Sequence, residues 1–179
     1  MAPATATPPA RDEMFEIRDA RVIFKNFSGR EEQFNKEGDR NFSLVLTKED
    51  ADMLAARGFN VKSRPPREEG DDPLYYLKIN VKFDTKGRPP RVVMVNTKNK
   101  VGLDSGTATL LDMGRITHAD VRFRAWNYDP GKYSAYLVTG FFNMEEDELE
   151  DRYSDLPEQG ISSSGSARPS NVSFNEFDD

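Results

Sequence analysis

Leu74-Tyr-Tyr-Leu-Lys-Ile-Asn-Val-Lys-Phe83 alternates two kinds of side chain along its whole length. Tyr75, Leu77, Ile79, Val81 and Phe83 fall on one face, and Tyr76, Lys78, Asn80 and Lys82 on the other. A period of two marks a strand with one face against a core. The same pattern recurs on either side. Phe15 to Phe27 alternates, with Ala20, Val22 and Phe24 on one face and Arg21, Ile23, Lys25 and Phe27 on the other. Arg40 to Leu46 aligns Phe42, Leu44 and Leu46, and Arg91 to Asn96 is a short Val-rich strand. Ile116 to Trp126 turns Val121, Phe123 and Ala125 inward and His118, Asp120, Arg122, Arg124 and Trp126 outward. Asn127-Tyr-Asp-Pro-Gly131 reads as a turn, and Lys132 to Met144 as the last strand.

Helix is scarce. Thr47, with Asp50 three residues on, is a candidate N-cap; Ala51, Leu54 and Ala55 give an apolar stripe, and Gly58 a stop. A second short helix fits near Thr107–Asp112. Arg64-Pro-Pro-Arg-Glu-Glu-Gly-Asp-Asp-Pro73 is a charged loop, because its Pro and Gly residues deny it regular structure. Five or six strands with one main helix predict a mainly β fold, a small antiparallel barrel.

The length of 179 residues suits one domain with tails. Hydrophobic residues make up 36%, charged residues 31% and aromatic residues 11%. That is too polar for the whole chain to be packed and too aromatic for none of it to be. The Ala/Thr/Pro-rich residues 1–13 read as a disordered arm, 14–157 as the folded domain, and 158–179 as a flexible acidic tail. With no Cys there is no disulfide, thiolate metal site or cysteine nucleophile, and one His excludes a multi-His metal site. No apolar run reaches the roughly 20 residues that span a bilayer, and the N-terminus lacks a signal-peptide pattern. The expectation is a soluble cytoplasmic protein that is not an enzyme and carries no cofactor.

The net charge of −6 averages opposing regions. Residues 1–14 carry −1, residues 15–144 carry +4, and residues 145–179 carry −9. A basic body joined to an acidic tail points to nucleic acid or to regulation. Two strands carry basic and aromatic residues together on the outward face: Tyr76, Lys78 and Lys82 on one, Arg122, Arg124 and Trp126 on the other. The first strand and the loop after it add Lys25, Phe27, Arg30, Phe34, Lys36 and Arg40. Cations neutralise phosphates, while exposed rings stack on unpaired bases whatever their sequence, each worth about 1–3 kcal/mol. Singly, any of these aromatics is more readily explained by packing, and exposed cations also protect strand edges. The repetition of the pattern on two strands favours single-stranded nucleic acid. Tyr76, Trp126, Phe27 and Phe34 are the stacking candidates, with Tyr128 and Tyr133 at the hairpin as outside candidates.

The tail contributes a second feature. Gln159 to Ser170 has the composition of a flexible linker and leads to Phe174, Glu176, Phe177, Asp178 and Asp179. Acids and rings on such a spacer can compete with phosphates for a basic groove and can dock into a partner's hydrophobic pocket. Two other readings stay open: an adaptor that binds protein through this tail, and an RNA-binding barrel, since charge and stacking do not distinguish RNA from DNA. An unpaired barrel edge also leaves room for a homodimer.

The segments Phe24-Lys-Asn-Phe-Ser-Gly-Arg30, Asp39-Arg-Asn-Phe42, Gly58-Phe-Asn-Val-Lys62, Tyr76-Leu-Lys78, Leu110-Leu-Asp112, Arg124-Ala-Trp-Asn-Tyr128 and Tyr136-Leu137 resemble, in order and spacing, those of bacteriophage single-stranded DNA-binding proteins. The resemblance covers roughly residues 15–157. It implies an oligonucleotide/oligosaccharide-binding (OB) fold with a helix inserted after the second strand. It also implies sequence-independent binding that protects and organises single-stranded DNA in phage replication, recombination and repair, in the host cytoplasm. Acidic tails in this class contact the replicative polymerase, helicase or primase and often end on an aromatic residue, whereas Phe177 here is followed by Asp178 and Asp179.

Overall fold

The computed structural model describes residues 7–146 and residue 156. Residues up to Glu145 form one compact unit, and those from Glu146 onward a second, of which only Glu146 and Leu156 are described. The arm expected over 1–13 is described from residue 7, and the 158–179 tail lies outside the described residues.

One residue, Arg21, separates the first strand, β1 (Met14–Ala20), from the second, β2 (Val22–Asn26). The chain continues through β3 (Arg40–Leu46), α1 (Lys48–Ala56), β4 (Lys62–Arg64), β5 (Leu74–Val81), β6 (Arg91–Val95), β7 (Lys100–Leu103), α2 (Leu110–Met113), β8 (Ile116–Asp129) and β9 (Lys132–Met144). Hydrogen-bonded neighbours run β1-β8-β9-β5-β3-β2, so β1 and β2 stand at opposite ends of this path. They are also halves of one nearly continuous strand. The path is open between them, and the covalent chain closes it, which makes a partly open five-stranded barrel of the OB type. The small elements add to this frame: β4 pairs with β5, and the β6–β7 hairpin joins β9. Among the described residues nine strands are formed where five or six were expected, and β9 pairs in parallel with both β5 and β6 rather than only antiparallel.

The alternation expected from Phe15 to Phe27 does not survive as one strand. Asp19 and Phe24 adopt left-handed backbone conformations, with φ of 53° and 51°. The register slips between Ile17 and Ala20 and again between Ile23 and Asn26. One extra residue in a strand moves every later side chain to the other face. Phe24, read on the face opposite the stacking candidate Phe27, is therefore exposed, and Phe27 is fully buried.

In the core, Phe27 stacks on Phe42 at 5.2 Å, and Phe142 meets both edge-on. A second triad joins Phe15, Phe59 and Phe123, with centroids 5.0–5.6 Å apart. Leu77, Ile79 and Val81 of β5 are buried beside them, as its alternation requires. Each such side chain stabilises the fold by about 1.5–3 kcal/mol.

Helix α1 forms where expected. Thr47 Oγ1 accepts from the Asp50 amide at 3.1 Å, and Ala51 and Leu54 are buried. At its end the Gly58 amide donates to Ala55 and the Phe59 amide to Leu54, the paired bonds of a Schellman stop. Gly58 sits at φ 97°, and a Cβ there would lie 2.6 Å from the Gly131 carbonyl oxygen.

Strand β8 runs three residues past Trp126, and its turn into β9 is Pro130-Gly131, with Gly131 at φ 73°. Asn127 and Tyr128 thus belong to β8, Asn127 paired with Tyr133 and Tyr128 at a shift of register. The tip of this hairpin extends in solvent, with Trp126 63% and Tyr128 53% exposed.

Candidate nucleic-acid interface

The parallel contact between β5 and β9 is only two residues wide: Ile79 faces Ala135 and Asn80 faces Tyr136. On either side of it the strands diverge and leave a cleft. The first, about 550 Å³, is lined by Arg40, Lys82, Phe83, Asp39 and Asp84 among others. The second, about 350 Å³, contains Lys62, Lys78, Asn60 and Tyr128 and no carboxylate. Asn80 and Tyr136 line both. Asn80 Nδ2 donates to the Ala135 carbonyl at 3.2 Å, which fixes the divide.

Ring and charge extend from this divide along the same sheet face. Tyr136 lies opposite Arg124 of β8, and Trp126 opposite Ser134. The Trp126 ring meets Tyr136 edge-on at 6.4 Å. Lys78 of β5 and Lys82, one residue past its end, flank Asn80 two residues away in each direction, and both are exposed. Lys62 of β4 stands opposite Tyr76. Cations beside rings in an open groove give phosphate neutralisation and base stacking in one place.

The candidates from the sequence divide into two groups. Lys78, Lys82, Arg124 and Trp126 share this face, with Tyr76 at its border. Phe27 is a core ring and is excluded from stacking. Lys25 is turned away: its Nζ donates to the carbonyls of Leu111, at 2.8 Å, and of Gly114. Burial pushes its pKa down, and the Asp112 carboxylate partly opposes this. Lys25 thus satisfies carbonyls at the end of α2 rather than a phosphate. Arg40 lines the first cleft, but its guanidinium donates to the Phe27 carbonyl at 3.0 Å and lies over the Phe83 ring. Arg122 is held by Glu16 of β1, with contacts of 3.0 and 2.8 Å. That bond, with Arg18 second, holds the Glu16 carboxyl below its usual range.

Arg30, Phe34 and Lys36 are exposed on the loop between β2 and β3 and line neither cleft. Phe34 is 90% exposed at a tight turn closed by reciprocal bonds between Glu32 and Asn35. Asn26, Asn35 and Asn41 brace this loop through side-chain bonds to Arg30, Asp39 and one another. The tail residues Phe174, Glu176, Phe177, Asp178 and Asp179 lie outside the described residues.

Sequence reading missed Tyr136, Lys62, Arg64 and Phe24. Tyr136 is legible as an outward position between Ala135 and Leu137, which are buried. Strand β4 is too short and polar to show a period, so Lys62 and Arg64 gave no signal. Among the described residues no group of three or more His, Asp or Glu could hold a metal ion, and no helix is long and apolar enough to cross a membrane.

The model of the phage ssDNA-binding domain family matches residues 6–177. The chain belongs to this family. Its structure is similar to that of the single-stranded DNA-binding protein of bacteriophage Enc34 as a C-terminal truncation, at 10% identity and a TM-score of 0.48, covering 82% of this chain and 99% of that one. The Enc34 protein in complex with ssDNA gives 11% identity and a TM-score of 0.47, over 80% and 98%. For gp2.5 of bacteriophage T7, a single-stranded DNA-binding protein, the values are 12% and 0.37, over 85% and 99%. No curated protein matches the chain.

Proposed function

We propose that this phage ssDNA-binding domain protein carries single-stranded DNA along the β5–β9 groove, without sequence preference and without catalysing a reaction. The observation that supports this best is the divide at Asn80 and Tyr136. A continuous line of Lys62, Lys78, Lys82, Arg124, Tyr136 and Trp126 runs past it on one face. Phosphates lie against the lysines, most favourably in the cleft that has no carboxylate, and bases stack on Tyr136 and Trp126. Duplex DNA hides its base faces and binds less well. Protecting and organising single strands during replication, recombination and repair in the host cytoplasm follows from such binding.

The domain read from the sequence over 14–157 does this work, and the acidic residues of 158–179 offer a replication protein (polymerase, helicase or primase) a docking segment through Phe174 and Phe177. A homodimer belongs to the same proposal: among the described residues β7 pairs with β6 alone and leaves one edge unpaired. Fluorescence anisotropy with labelled single-stranded, duplex and RNA oligonucleotides of one sequence, across a salt series, tests the reading. Single-strand affinity that exceeds duplex affinity and falls linearly on a log–log salt plot supports it. Equal affinity for duplex overturns it, and preference for RNA reassigns the ligand.

A further inference from the structure

Phe24 is an exposed ring held in a backbone conformation that bulky residues avoid. Its φ is 51°, and the residue is 52% exposed. A β-branched or bulky residue at positive φ is a true outlier, and such strain persists where the surrounding structure imposes it. Its consequence is geometric. The bulge at Phe24 keeps Phe27 and Asn26 buried while turning the Phe24 ring outward, toward Tyr76 of β5. The two rings meet edge-on at 5.5 Å. The Arg64 guanidinium carbon lies over the Phe24 ring, 5.3 Å from its centroid.

We propose that Phe24, Tyr76 and Arg64 form a second base-stacking subsite for single-stranded nucleic acid, extending the β5–β9 groove beyond its second cleft. This rests on the function proposed above. Tyr76 and Asn80 are four residues apart on one strand face, about 13 Å, so the subsite and Tyr136 stand at two ends of one path with Lys78 between them. Arg64 serves twice: its plane stacks, and its charge is available to a phosphate. A ring needed only for packing is poorly served by this position, since burial is what stabilises a Phe and this one is half in solvent.

The test uses Phe24→Gly in the full chain, with Phe24→Asn as a second variant that also tolerates left-handed backbone. Affinity for a 16-nucleotide oligothymidylate, at about the upper site size of one OB fold, is measured beside the thermal midpoint. The subsite predicts binding weaker by about five- to 150-fold with a midpoint equal to or above that of the parent. Arg64→Lys, which keeps charge and loses the stacking plane, falls between parent and Phe24→Gly. Parent-like affinity in a folded Phe24→Gly overturns the subsite and leaves the groove standing. A parent protein that binds no oligothymidylate overturns the groove and the subsite together.

Discussion

Asn80 and Tyr136 face each other across the two-residue parallel contact of β5 and β9, and each lines both clefts of the candidate groove. They are the side chains the two clefts share with each other on this face, together forming the divide between them. Tyr136 also meets Trp126 edge-on, which links the divide to the β8–β9 hairpin.

Tyr136→Ala removes the ring at the divide. Stacking is worth about 1–3 kcal/mol per base, so single-strand affinity is expected to fall about five- to 150-fold. Tyr136 is only partly buried, so the circular dichroism melt should move little. Anisotropy and melting on one preparation check both.

Arg122 and Arg124 are two residues apart on one strand, yet they should behave differently. Glu16 already neutralises Arg122, while among the described residues no carboxylate pairs with Arg124. Arg124→Ala should weaken binding and reduce the salt slope by about one. Arg122→Ala should change that slope less. Titrations at several salt concentrations compare them.

Phe27 and Lys25 belong to the fold, not the ligand. Phe27→Ala opens a cavity between Phe42 and Phe142 and should cost about 3–5 kcal/mol, read by urea denaturation. Lys25→Ala leaves the Leu111 and Gly114 carbonyls without their donor and should also lower the urea midpoint. In both, the affinity of the folded fraction should match the parent.

Acid should loosen the seam between β1 and β8. Arg122 and then Arg18 lower the Glu16 pKa from 4.5, and Arg57 lowers that of Glu13. A carboxylate whose folded pKa is depressed contributes stability above its unfolded pKa and loses it as pH falls through the folded value. The thermal midpoint of the parent should therefore drop below about pH 4.5, and Glu16→Gln should flatten part of that drop. Melts in a pH series from neutrality downward read this.

The strands with an unbroken period of two were legible because a half-buried face leaves that signature. β3 and β9 have the bounds read from alternation, and α1 the expected cap. The first strand misled because a positive φ at Phe24 is a backbone event that side-chain alternation does not report. That one residue exchanged the apparent roles of Phe24 and Phe27. Lys25 misled for a related reason: its partners are backbone carbonyls of α2, distant in sequence and visible only after folding. Trp126 and Lys78 were legible because they lie on strands whose inward faces are unambiguous.

The most direct test follows the emission of Trp126, the one tryptophan of the chain, during titration with oligothymidylate. The groove account predicts saturable quenching that salt reverses and that unlabelled single strands, but not duplex, compete away. Binding detected by anisotropy with Trp126 emission unchanged would contradict it, because the strand would then lie away from the Trp126–Tyr136 face.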